Sequence, residues 1–91
     1  MNTTESIWVL TKITTSKEEP ANLNTFTFKN EKTAKENFLN LFLMWENDNI
    51  QFKDTYTEHE SINTQTYIYR HYINDDGGEI IFSLEKFEFK L

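Results

Sequence analysis

Ile7, Val9, Thr11 and Ile13 interleave with Trp8, Leu10, Lys12 and Thr14, the period-two pattern of a strand, with apolar residues on both faces at its start. Residues 23 to 28, LNTFTF, predict a second and shorter strand with Phe26 and Phe28 on one face. Between these, residues 14 to 24, TTSKEEPANLN, hold the sole proline and paired glutamates and read as an exposed connection. The period then changes. Ala34, Phe38, Leu41, Phe42 and Trp45 recur at helical spacing with Leu39 and Leu43 beside them, so an amphipathic helix is expected to lay a wide apolar stripe on the core. Asn30 suits the N-cap, Glu31 suits the positive end of the helix dipole, and Asn47, Asp48 and Asn49 supply the stop.

Alternation returns where Ile50, Phe52, Asp54 and Tyr56 interleave with Gln51, Lys53, Thr55 and Thr57, predicting a third strand. The polar run EHESINTQ reads as a turn. Residues 66 to 73 and 79 to 90 then form a hairpin around Asp75-Asp76-Gly77-Gly78. The order β-β-α-β-β-β predicts a two-layer α+β fold in one domain, residues 1–91: a single amphipathic helix on a mostly antiparallel sheet, its outer face left open because one helix cannot cover both sides.

Loop parity in the last hairpin decides which side chains share a face, since opposed residues of an antiparallel pair point the same way. An even loop pairs Ile73 with Ile80, His71 with Phe82 and Tyr69 with Leu84. A three-residue loop pairs Tyr72 with Ile80, Arg70 with Phe82 and Ile68 with Leu84. The face of Ile80, Phe82 and Leu84 is the core face, and it accepts a neutral histidine more cheaply than a guanidinium. The even loop is therefore expected. It puts Tyr67, Tyr69 and His71 in the core and leaves Ile68, Arg70, Tyr72 and Ile81 on the open face; with Ile7, Val9 and Ile13 of the first strand facing the helix, Trp8 and Leu10 join them, a set rich in residue types that anchor interfaces. Phe87 and Phe89 join the core only if a bulge breaks the alternation at Glu85-Lys86, and otherwise enlarge the outer patch.

Charge sharpens this picture. The formal net charge is −6, and residues 54 to 91 carry −5 of it, so the negative field belongs to the C-terminal half. Such a balance argues against direct nucleic-acid binding through phosphates and suits a basic protein partner, with Asp75, Asp76 and Glu79 beside the apolar patch. Fourteen aromatic residues exclude a disordered chain, and the absence of cysteine removes disulfides and thiolate metal sites. The start, MNTTESIWVL, lacks a basic leader and no apolar run is long enough to span a bilayer, so a cytoplasmic protein without membrane association is expected.

Candidate chemistry is thin. Glu58-His59-Glu60, with His71 and the Asp75-Asp76 pair, offers metal-ligating or acid–base residue types, but strand alternation would set Glu58 and Glu60 on one face and His59 on the other. Gly77-Gly78 lacks the flanking pattern of a phosphate loop and reads as a turn. No catalytic residue, metal or cofactor is assigned. The expected function is a non-enzymatic binding module acting through its open face and acidic half. Its most concrete form is an inhibitor that occupies the nucleic-acid-binding surface of its target, as anti-CRISPR and other phage-borne inhibitors do. This is an analogy of size and charge, and it fits a composition rich in Asn, Lys, Ile, Phe and Tyr that suggests an AT-rich bacterial or mobile-element genome. The alternatives are a homodimer or larger homo-oligomer joined through the open face, and a small enzyme built on Glu58, Glu60 and His71.

Overall fold

The computed structural model of the chain describes residues 4–16, 20–48 and 56–90. Its elements are β1 (Thr4–Thr15), β2 (Asn22–Phe28), α1 (Glu31–Asp48), β3 (Tyr56–Asn63), β4 (Tyr67–Asn74) and β5 (Glu79–Lys90), in the α+β order that the hydrophobic pattern predicts. The strands form one antiparallel sheet in the order β2-β1-β5-β4-β3. The two longest strands, β1 and β5, come from opposite ends of the chain and pair along their full length at the centre. β2 and β3 are the edges. Because α1 joins one edge to the other, it has to cross a face of the sheet.

The helix starts where its cap predicts. Asn30 Oδ1 accepts a hydrogen bond from the Thr33 N–H at 3.1 Å, and the Ala34 N–H donates to the Asn30 carbonyl at 3.0 Å. Glu31 in the first turn pairs with Lys35 at 2.9 Å, and that ammonium holds the exposed carboxyl below its usual range. Ala34 and Phe38 are buried, with Leu41, Phe42 and Trp45 packed at the margin of the core. Leu39 and Leu43 are exposed instead of joining the stripe, since they lie on the helix side away from the sheet.

Trp8 and Leu10 of β1 and Ile80, Phe82 and Leu84 of β5 complete the core, each at most 2% exposed. Aromatic contacts bind this layer to the helix: Phe42 meets Phe82 edge-on at 5.6 Å, and Trp45 lies 5.3 Å from Tyr72 and 5.1 Å from Tyr56. The helix therefore covers the face of Trp8 and Leu10, where the sequence places it over Ile7, Val9 and Ile13. Covering this face takes the indole and Leu10 out of water, and both are 2% exposed.

The strand bounds differ in places from those the pattern predicts. EHESIN, whose polarity predicts a turn, belongs to β3. As an edge strand with neither face covered at its polar positions, it shows no alternation. The predicted strand start at residues 50 to 55 lies outside the described residues. The connection predicted over residues 14 to 24 is shorter at both ends, since β1 runs to Thr15 and β2 begins at Asn22.

Candidate functional site

The hairpin between β4 and β5 has the odd register. Tyr72 opposes Ile80, Arg70 opposes Phe82 and Ile68 opposes Leu84. Its loop is Asp75-Asp76-Gly77, closed by an Asn74 N–H bond to the Gly78 carbonyl at 2.7 Å and a Gly77 N–H bond to the Asn74 carbonyl at 2.9 Å. Gly77 takes φ 96°, the left-handed position that ends a three-residue hairpin loop, and Asn74 Oδ1 accepts the Asp76 N–H at 3.0 Å. The Asn74 side chain thus braces a three-residue loop, where the sequence reading expects an even one.

Every face assignment on β4 inverts accordingly. Ile68, Arg70 and Tyr72 lie on the helix side, and so do Trp8 and Leu10, which are buried and offer nothing to a partner. The premise that this side excludes a guanidinium fails for a geometric reason. An 18-residue helix is about 27 Å long and leaves part of a face spanned by twelve-residue strands uncovered. Arg70 is only partly buried there, and its Nη1 donates to the carbonyls of Ile62 at 3.0 Å and Tyr69 at 2.8 Å. Of the expected partner-facing residues, Ile81 and Glu79 do lie on the open face, and Asp75 and Asp76 are exposed in the turn.

The open face carries Tyr67, Tyr69, His71 and Ile73 from β4. From β5 it takes Glu79, Ile81, Ser83, Glu85, Phe87 and Phe89. β1 runs on opposite β5 with no register shift, so no bulge returns the last two rings to the core, and Phe87 and Phe89 are 47% and 44% exposed. Tyr67, Tyr69 and His71, expected in the core, instead pack on one another as a row: Tyr67 stacks on Tyr69 at 5.9 Å, and Tyr69 meets His71 at 6.2 Å. His71 Nε2 contacts Glu79 Oε1 at 2.9 Å, which leaves the histidine side chain only 13% exposed.

A register shift in β3 between Glu58 and Glu60 rearranges the proposed carboxylate pair. Glu58 opposes Tyr72 on the helix side and Glu60 opposes His71 on the open side, so the two are separated. The same bulge brings the His59 ring to 4.9 Å from that of His71, where simple alternation predicts it points away. Among the described residues no group of three or more His, Asp or Glu side chains is placed to hold a metal ion.

Charge is partitioned across the sheet. Pairing parity puts Glu5, Glu60, Glu79 and Glu85 on the open face, whereas each basic side chain of the described strands, Lys12, Arg70, Lys86 and Lys90, lies on the helix side. Burial first, and the neighbouring Glu60 and Glu79, push the Tyr69 phenol up; burial, Tyr69, Glu85 and Glu60 do the same for Tyr67. The open face is thus a row of rings and aliphatic groups bordered by carboxylates, with no cation among its described residues. No described helix is long and apolar enough to cross a membrane. Comparison with family models, curated proteins and solved structures found no match to the chain.

Proposed function

We propose that the chain is a non-enzymatic binding module whose open sheet face engages a basic protein surface. In its most concrete form it is a cytoplasmic inhibitor that occupies the nucleic-acid-binding surface of its target, in the manner of anti-CRISPR and other mobile-element inhibitors. The carrying observation is the partition of charge: among the described residues, four glutamates and no lysine or arginine share a face with Tyr67, Tyr69, His71, Ile81, Phe87 and Phe89. Rings supply contact area at low entropy cost, and the carboxylates steer a positively charged partner and replace the phosphates it would otherwise hold. The same charges argue against two copies burying their open faces on each other, because carboxylate would meet carboxylate.

The test is capture from a bacterial lysate followed by competition. A basic partner should be retained at low salt, released as ionic strength rises, displaced by duplex DNA or by RNA, and lost with the folded double variant Glu60→Lys/Glu85→Lys. Retention that ignores salt, nucleic acid and these substitutions would sink the reading.

A further inference from the structure

The sheet has two edges, and among the described residues only one of them is guarded. On β3 the edge bears Glu58, His59 and Glu60 and a register shift, which are features that discourage another strand from pairing. The other edge, β2, reads Asn22-Leu23-Asn24-Thr25-Phe26-Thr27-Phe28 and holds no charge, no proline and no bulge. All of it except Phe28 is exposed, with Leu23 at 62% and Phe26 at 46%, and its outer row of backbone N–H and C=O groups faces away from β1. Beside it, between β2 and α1, lies a groove of about 140 Å³ lined by Phe26, Phe28, Leu41 and Met44 together with Asn37 and Asn40. An apolar space of that order holds one benzene-sized ring. None of the groove's residues is charged.

We propose that β2 is a self-association edge, at which two copies of the chain pair their β2 strands antiparallel about a two-fold axis to give one continuous sheet. Neutrality selects the occupant. A second copy meets no like charge along the strand or the groove, although the chain as a whole carries −6, whereas a charged peptide would find no counter-charge here. The strand is also self-complementary. With Phe26 opposite the second copy's Phe26, Thr25 opposes Thr27 in both directions, and each exposed ring lies at the mouth of the other copy's groove. The two open faces then adjoin edge to edge and present one wider acidic surface. The association itself is independent of what that surface binds.

Light scattering and sedimentation across micromolar to millimolar protein test this directly. The expected mass is that of two chains at high concentration, with amide exchange in β2 slowing as the dimer forms. Thr25→Lys, on the exposed edge, should weaken association by about tenfold or more, while Thr57→Lys on the guarded edge leaves it unchanged. Thr27→Lys repeats the test if Thr25→Lys lowers thermal stability. A single-chain mass throughout the range overturns the proposal. So does a dimer that survives both β2 variants yet dissociates with Tyr69→Lys, which would locate the interface on the open face.

Discussion

Trp8 is held by more than apolar burial. Its ring is 2% exposed, and Lys35 Nζ and Lys86 Nζ lie 5.6 and 6.0 Å from its centroid, so two ammonium groups cap an indole at the helix–sheet boundary. Trp8→Ala removes the largest fully buried side chain and should cost about 3 to 5 kcal/mol by chemical denaturation, a large fraction of what a small domain possesses. The tyrosines supply a prediction with a pH axis. Tyr67, Tyr69 and Tyr72 are raised from 10.0, for each of them chiefly by burial, with nearby glutamates adding to it. A group whose folded pKa lies above its unfolded value favours the fold while it stays protonated. The stabilisation is present below about pH 10 and is lost as pH rises through the folded values. Tyrosinate absorbance should therefore develop later in the native protein than in the denatured chain, and denaturant midpoints should fall on the alkaline side. A native titration coinciding with the denatured one would show that the phenols are not held in this way.

At the scale of elements, the β4–β5 turn carries more information than its length suggests. Gly77 is the one glycine with positive φ, and a side chain on Gly78 would come within 3.0 Å of the Thr15 carbonyl, so each glycine is required for a different reason. Gly77→Ala should destabilise by about 1 kcal/mol or more, and Asn74→Ala, which frees the Asp76 N–H, by a comparable or smaller amount. Equilibrium unfolding checks both. Asn30→Ala at the helix start should cost about 1 kcal/mol by the same measurement. These motifs act within a few residues of chain, and that is why Asn30 and the turn are readable in sequence. Glu58–Asn63 of β3 is the opposite case, because its strand identity comes from pairing with β4 and leaves no periodicity to read.

For the whole molecule, the partition of charge sets binding against stability. Glu85 is exposed beside Tyr67, on a face that also holds Glu5, Glu60 and Glu79. Glu85→Lys should leave folding stability within about 0.5 kcal/mol or raise it slightly by relieving repulsion, while weakening capture of a basic partner. A thermal melt and a salt-dependent binding curve on the same variant separate the two effects. Loss of both together would indicate damage to the fold instead of to the surface.

The sequence by itself determined the element order, the α+β class, the helix and its cap, the position of the last hairpin and the excess of acid over base. All of these reside in composition or in contacts a few residues apart. Which side of the sheet is core was decided by tertiary structure. Alternation in β1 and β4 divides each strand into two sets of side chains but does not say which set the helix covers, and a one-residue change in loop length exchanges them. Arg70 on the core face is not the penalty that a fully buried charge would be, because its cost depends on how far α1 covers it and on the carbonyls of Ile62 and Tyr69. Those are facts of how the helix crosses the sheet, which no local stretch of chain encodes.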